Sequence, residues 1–285
     1  VILIRRLVKK KRFNGWNILK RSVKKYIFRK PACVFYDKKI YDEYPVITQH
    51  TQPFIDKWLQ PFSPVYYNSS AYKSIRDLKC DAYIVGSDQV WRKGCMEEIK
   101  DYYFSPIDGR TAKLIAYAAS FGIDKWAYSK KETRFCTQKL KEFTAVSVRE
   151  DSGMELCKRH LNHTAEHVLD PTMLLTPADY RALIGEGSVA DWLKAMYYAD
   201  FIFTDSFHGC VFSILFNKPF VLYVNRNRGV ARFESLLKLF KIENRTLSDS
   251  NGLESCPIRQ SIDWKPINAK LEEMRSKSMC FLENA

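Results

Sequence analysis

Residues 201–216 read FIFTDSFHGCVFSILF, which is an apolar run, a polar break and a second apolar run. The first run has the length of a buried strand, and the second, from His208 to Phe216, is apolar on most faces, as a buried helix is. Thr204, Asp205 and Ser206 stand at the break, and Asp and Ser are residue types that cap helix N-termini. The stretch therefore predicts a strand followed directly by a buried helix, which is typical of α/β folds.

The same pattern recurs along the chain. Five more short apolar runs stop abruptly at small polar residues: 82–85, 113–119, 145–148, 167–169 and 220–224. Helical patterns lie between or after them: 131–143, 151–161, 231–240 and 267–282. Near-continuous apolar runs are typical of strands buried on both faces, as in parallel sheets. We therefore predict an α/β chain with parallel sheets and two Rossmann-like domains, residues 1–170 and 171–285.

Two regions do not fit this pattern. Residues 33–79 contain many prolines and tyrosines, so we expect them to be mostly irregular, with a short helix near Pro53–Trp58. Residues 171–285 hold only two strong strand candidates, 199–204 and 218–224, and two parallel strands do not make a stable sheet. Two helical patterns also meet directly around Gly185. We therefore expect a segment of the second domain to be missing there, and an N-terminal strand to be incomplete at Val1–Ile4.

The charge is unevenly distributed. The chain carries a formal net charge of +14, yet residues 1–30 hold twelve Lys or Arg and no Asp or Glu. Residues 31–285 carry 34 basic and 32 acidic residues, so they are nearly neutral. A basic arm suits an anionic membrane surface or nucleic acid, or it is simply a solvated helical face. Few aromatic residues interrupt it, which argues against nucleic acid.

The cysteines and histidines indicate no metal site. The eight cysteines are scattered singly with no CxxC pair, which predicts reduced core thiols in a cytoplasmic protein. His160, His163 and His167 have no suitably spaced carboxylate or thiolate, so we expect them to lie on the surface.

Polar residues that follow parallel strands gather at one edge of a sheet, where ligands of open α/β folds bind. Those expected at this edge are Ser87, Asp88, Gln89, Ser120, Arg149, Glu150, Asp170, Asp205, Ser206, His208 and Asn225. Arg149 offers a planar fork for a carboxylate or phosphate, although a salt bridge to Glu150 or Asp170 is an equal alternative. His208 stands in the first turn of a helix whose N-terminus suits an anion. Its alternative role is that of a buried structural histidine.

Five motifs in order give the chain a family resemblance: 86–91 (GSDQVW), 120–122 (SFG), 146–150 (VSVRE), 168–172 (VLDPT) and 204–209 (TDSFHG). Over roughly residues 78–250 the sequence resembles the polysaccharide pyruvyl transferase family. The resemblance implies a glycosyltransferase-B-like architecture with the site in a cleft. It also implies transfer of a pyruvyl group from phosphoenolpyruvate to two hydroxyls of a sugar, forming a ketal, in the making of bacterial surface glycans.

The resemblance assigns roles to residues at this edge. It implies that His208 and Arg149 are catalytic, with Arg149 on the anionic donor. Residues expected to bind the donor are Ser206, Ser87, Asp88, Gly209 and Ser120. Residues expected to bind the acceptor are Asp170, Asp205, Asn225 and Arg232. Ser206 departs from the family, since some members have arginine there. Neither a cofactor nor a metal is implied.

The expected partners are phosphoenolpyruvate and a glycan or lipid-linked sugar, with peripheral contact to an anionic membrane and no nucleic acid. The expected location is the cytoplasm, at the inner face of the membrane. Two alternatives stay open at this point. One is a nucleotide-sugar glycosyltransferase of similar fold, since fold does not fix function. The other is a non-catalytic adaptor that binds membrane or nucleic acid through the basic arm.

Overall fold

The computed structural model describes residues 1–6, 13–96, 98–184, 188–224, 229–247 and 260–285. Within them the chain is a mixed α/β protein whose strands pair in parallel, as predicted. The strands form a sheet of two (β1-β2), a sheet of four (β3-β4-β5-β6) and a sheet of three (β7-β8-β9).

The strands are β1 Leu3–Arg6, β2 Phe62–Tyr66, β3 Ala82–Val85, β4 Lys113–Ala119, β5 Ala145–Val148, β6 Glu166–His167, β7 Ile202–Thr204, β8 Phe220–Tyr223 and β9 Thr246–Leu247. The helices are α1 Gly15–Ser22, α2 Tyr36–Thr48, α3 Thr51–Trp58, α4 Ser69–Tyr72, α5 Lys130–Leu140, α6 Asp151–Leu161, α7 Pro177–Leu183, α8 Ser188–Tyr198, α9 Phe207–Leu215, α10 Ala231–Phe240 and α11 Trp264–Asn284. A π-helical turn, Val23–Ile27, follows α1.

The chain divides into two compact units by its contacts. The first comprises 1–72 with 186–191, and the second comprises 73–185 with 192–285. The four-stranded and three-stranded sheets, which we had assigned to different domains, both lie in the second unit. The predicted boundary at residue 170 stays a prediction.

The four-stranded sheet follows from its sequence. Its second strand, β4, is buried from Leu114 to Ala119 and pairs with β3 on one side and β5 on the other. A strand covered on both faces excludes polar side chains, which is why KLIAYAA reads as a continuous apolar run. Since the four strands are parallel and in chain order, their carboxyl ends lie along one edge, and the segments after them begin there.

The three-stranded sheet carries α9, which is buried from Gly209 to Leu215. A Cβ atom at Gly209 would come within 2.2 Å of the Thr204 Oγ1 and 2.9 Å of the Thr204 Cβ. Glycine is therefore required for the helix to pack closely on the end of β7. Gly209, which we expect to bind the donor, thus also has a packing role.

The long helix α11 packs against the four-stranded sheet. Phe281 and Ala285 join Ile115, Tyr117 and Val168 in one buried apolar cluster. The Ser278 hydroxyl oxygen accepts a hydrogen bond from the Leu169 backbone N–H at 2.9 Å. Arg275 donates through Nε to the Met173 carbonyl at 3.1 Å. Thus α11 fixes the loop that follows β6, and Asp170 stands in that loop.

Several expectations about the fold need correction. Residues 33–79 are not mostly irregular, since they form α2, α3, α4 and β2. A third strand, β9, completes the sheet for which the sequence showed two strands. The helix α2 was missed because Pro45, inside it, reads as a helix breaker. The predicted break at Gly185 lies outside the described residues.

The cysteines and histidines also differ from expectation. Of the seven cysteines in the described residues, three are buried (Cys136, Cys157 and Cys210) and three are exposed (Cys33, Cys95 and Cys280). Burial raises the pKa of each buried thiol to about 12. His167 is partly buried rather than superficial, and its Nε2 lies 3.1 Å from the Arg149 carbonyl oxygen.

No helix among the described residues is long and apolar enough to cross a membrane.

Candidate functional site

Arg149 lies at the centre of the predicted edge, directly after β5. Its side chain is only 1% exposed. Nη1 donates to Asp170 Oδ2 at 2.7 Å, and Nη2 donates to Asp88 Oδ1 at 3.1 Å. The salt bridge to Asp170 that we kept as an alternative is therefore present. Arg149 thus ties the segments after β3, β5 and β6 together.

This environment changes what Arg149 contributes to stability. Arg149→Ala is therefore expected to destabilise the fold as well as to weaken donor binding. Removing the guanidinium would leave the carboxylates of Asp170 and Glu150 buried without their cation, which costs about 3–5 kcal/mol for a broken buried pair.

Asp170 links the residues predicted to form the site. Its Oδ2 also accepts from the Ser87 hydroxyl at 3.1 Å, and its Oδ1 lies 4.0 Å from His208 Nε2. Burial alone would raise the pKa of Asp170, but Arg149 and the Thr172 hydroxyl outweigh it and hold the pKa below its ordinary value. Asp170 is therefore an ionised carboxylate beneath His208.

Asp88 differs from Asp170 in its exposure, because 70% of its side chain is open to solvent. It reaches Arg149 from a left-handed backbone conformation, φ +40°. An exposed carboxylate on a buried guanidinium can be exchanged for another anion at little cost in packing. Asp88 therefore occupies the face of Arg149 from which a ligand could approach.

Glu150, next to Arg149, is completely buried. Its Oε1 accepts from the Ser120 hydroxyl at 3.0 Å and from the backbone N–H groups of Phe121 at 2.7 Å and Gly122 at 3.1 Å. Burial raises its pKa, although Arg149 and these three donors act in the opposite direction. Ser120, a predicted donor-binding residue, thus contacts Glu150 and is itself fully buried.

His208 lies in the first turn of α9 with 43% of its side chain exposed. The alternative of a buried structural histidine does not fit this exposure. Ser206 is the N-cap of the helix, with its hydroxyl oxygen accepting from the Gly209 N–H at 3.4 Å. Asp205, beside it, is partly buried. Asn225, predicted to bind the acceptor, lies outside the described residues.

Phe207 brings two guanidinium groups together. The Arg149 Cζ lies 4.5 Å from the centre of its ring, and the Arg232 Cζ lies 5.5 Å from it. Burial, followed by the charge of Arg149, lowers the pKa of Arg232. Nε of each arginine is buried and has no hydrogen-bond partner among the residues that the structure describes. Two neighbouring cations with unused donors form a site that an anion would stabilise.

The sequence missed one member of this arrangement. Phe207 was passed over because an aromatic residue in an apolar helix reads as core. Glu150 was expected at this edge, but the sequence did not show that it organises the loop after β4. Arg232 was predicted on the acceptor side, whereas its position beside Arg149 favours an anionic ligand.

Within the described ranges, no group of three or more His, Cys, Asp or Glu residues could hold a metal ion.

Comparison with known proteins adds one finding. A family model described as "Polysaccharide pyruvyl transferase" matches residues 16–187 and 178–227. The match begins well before residue 78, where we had placed the start of the resemblance, and it ends before residue 250. No curated protein and no solved structure matches the chain at a significant level.

Proposed function

Because this chain belongs to the polysaccharide pyruvyl transferase family, we propose that it transfers a pyruvyl group from phosphoenolpyruvate to two hydroxyls of a sugar in a bacterial surface-glycan precursor. The observation that carries the donor assignment is the pair of guanidinium groups around Phe207. Phosphoenolpyruvate brings a carboxylate and a phosphate, and planar guanidinium forks suit both.

The donor is proposed to bind first through Arg232, which is half-buried and has an unused Nε. The phosphate or carboxylate of the donor then displaces the Asp88 carboxylate from Arg149. The N-terminus of α9, next to His208, contributes further N–H dipoles toward a negative charge. In this arrangement Asp170 keeps Arg149 in place and does not itself contact the donor.

The reaction needs balanced proton transfers. The methylene carbon of phosphoenolpyruvate gains a proton, and both sugar oxygens bond to the central carbon as they lose theirs. The bond from that carbon to the phosphate oxygen breaks, and inorganic phosphate leaves with the second proton. His208 is the proposed proton carrier, since part of its ring is open to a ligand and its Nε2 lies 4.0 Å from the Asp170 carboxylate.

The acceptor is proposed to be a glycan or lipid-linked sugar, and the protein is proposed to act in the cytoplasm without a cofactor. Incubation of candidate sugars with phosphoenolpyruvate and the protein, followed by mass spectrometry, should show the pyruvyl ketal and released phosphate. Transfer of a glycosyl unit from a nucleotide sugar, without ketal formation, would contradict the proposal.

Donor binding can be tested apart from turnover. Phosphoenolpyruvate should raise the melting temperature, and nucleotide sugars should not. Arg232→Gln should weaken phosphoenolpyruvate binding about ten- to a hundredfold, as expected for hydrogen bonds to a charged group. Arg134→Gln, which removes an exposed arginine from α5, should leave the affinity unchanged.

A further inference from the structure

The π-helical turn and α1 in the first unit expose an unusual set of side chains. Six aromatic or aliphatic residues between positions 13 and 28 are more than half exposed: Phe13, Trp16, Leu19, Tyr26, Ile27 and Phe28. No residue of α1 or of the turn is buried. Scattered exposed apolar residues are ordinary, but six within 16 positions is a density that favours contact with a partner surface.

The orientation of α1 is fixed by one acidic residue of α2. Arg21 donates to both carboxylate oxygens of Asp37, at 2.9 and 3.1 Å, and Asn17 donates to the same carboxylate at 3.2 Å. The Arg21 hydrogen bonds hold the pKa of Asp37 below its ordinary value. Positions 17 and 21 share one face of a helix, so this face is turned toward α2.

The opposite side of α1 is left open. Trp16 and Leu19, three positions apart, share a face, and Trp16 is 64% exposed. Lys20 lies over the Trp16 ring with its Nζ 5.0 Å from the centre, and Lys25 lies over Tyr26 at 5.4 Å. Apolar side chains are thus interleaved with exposed ammonium groups along α1 and the turn that follows it. We call the exposed residues Trp16, Leu19, Lys20, Tyr26, Ile27 and Phe28 the α1 face.

The charge around this face selects its partner. The first 30 residues carry twelve basic and no acidic residues. A second copy of the chain would bring the same positive charge and be repelled. An anionic bilayer offers negative headgroups for the lysines and an interfacial layer for tryptophan, tyrosine and aliphatic side chains. Leu19 and Ile27 would gain little from phosphates or stacked bases.

We propose that the α1 face inserts into the headgroup region of an anionic membrane, holding the protein at the surface where a lipid-linked substrate would be presented. The binding combines burial of the apolar side chains with attraction of the lysines to the headgroups. Each basic residue near the surface contributes roughly a fivefold gain in partitioning, and salt screens that part.

The test measures co-sedimentation of the full chain with vesicles of phosphatidylglycerol and phosphatidylcholine, and with phosphatidylcholine alone. We expect binding to the anionic vesicles that weakens at high salt. Trp16→Ala with Leu19→Ala should reduce partitioning about tenfold, and Trp16→Tyr should retain it. Tyr198→Ala, at another exposed aromatic residue, is the matched control.

The electrostatic part has its own pair of variants. Lys20→Glu with Lys24→Glu should reduce partitioning by about tenfold or more. Lys130→Glu with Lys131→Glu makes the same charge change at exposed residues in the first turn of α5 and should have no such effect. All these side chains are exposed, so melting temperatures should match the wild type.

Equal sedimentation with anionic and neutral vesicles would overturn the proposal. So would an equal loss in the variants and their controls, or tight binding to single-stranded nucleic acid without vesicle binding. Ketal formation on a soluble sugar should be unchanged in the α1-face variants. A failure of this proposal is therefore distinguishable from a failure of the proposed reaction.

Discussion

At the residue scale, the arrangement around Asp170 separates two kinds of contribution. Asp170 and Arg149 are buried and hold each other, whereas His208 is exposed and lies beside them without a direct hydrogen bond. Groups of the first kind determine stability, and groups of the second kind are free to act on a ligand. Substitutions at the two positions should therefore have opposite signatures.

His208→Gln should lower turnover about 10²–10⁴-fold, which is the usual contribution of positioned acid–base catalysis. The melting temperature should stay close to that of the wild type, because the ring supports little packing. Turnover and thermal unfolding should be measured on the same preparations, with His160→Gln as the control at an exposed histidine. Full activity in a folded His208→Gln protein would rule out the catalytic role.

Asp170→Asn should have the opposite signature and a defined pH dependence. The folded state holds the pKa of Asp170 below its unfolded value of about 4. The ionised carboxylate therefore stabilises the fold above that pH, and this stabilisation is lost as the pH falls through the lower, folded-state pKa.

At pH 7, Asp170→Asn should reduce the free energy of unfolding by about 3–5 kcal/mol, since one partner of a buried pair is lost. The difference from the wild type should shrink below about pH 4. Denaturant unfolding at several pH values measures both effects, and Asp200→Asn, at an exposed aspartate, is the control. A difference that stays constant with pH would contradict the ion-pair explanation.

At the element scale, the strands and helices of residues 80–245 were largely predictable, and for a physical reason. In this region β4, α6 and α10 have the predicted bounds, because burial on one or both faces imposes a strict period on the sequence. Where burial is weak, as in α2, the pattern is lost and local residues such as Pro45 mislead.

The close packing of α9 on β7 gives a prediction at this scale. Gly209→Ala should destabilise the protein by about 1–3 kcal/mol, because its Cβ would overlap Thr204 and the helix would have to shift. Thermal unfolding measures the effect. Gly15→Ala, whose Cβ would meet no atom within 4 Å, should be neutral or slightly stabilising.

If both alanine variants unfolded at the same temperature as the wild type, the close contact between α9 and β7 would not determine the position of the helix. The same shift should also move His208, one residue earlier in α9. We therefore expect Gly209→Ala to lower turnover even in the fraction that is folded.

At the scale of the whole molecule, the candidate site shows the limit of reasoning from sequence. Parallel topology correctly predicted that residues after β3, β5 and β6 would meet, and Ser87, Arg149 and Asp170 do so. Topology could not predict which carboxylates would pair with Arg149, because the pairing depends on how deeply each group is buried. The contact between Arg149 and Phe207 depends on how the four-stranded and three-stranded sheets pack together. Packing between sheets produces no periodic pattern in the sequence.

The two units should also differ in their resistance to local unfolding. Among the described residues of the first unit, only Ser63, Tyr66, Tyr72 and Ala190 are buried, whereas the second unit contains the rest of the apolar core. Amide exchange should therefore be fast in α1 to α3 and slow in β4 and α9. Hydrogen–deuterium exchange with mass spectrometry measures this, and equal protection in both units would contradict it.

The contact of α11 with the four-stranded sheet has a consequence for biosynthesis. Ile115 and Tyr117 are covered by Phe281 and Ala285, which the ribosome adds more than 160 positions later. The four strands of this sheet are therefore made before the helix that covers one of its faces. During translation an apolar face of the sheet therefore stays open to chaperones until α11 has emerged from the ribosome.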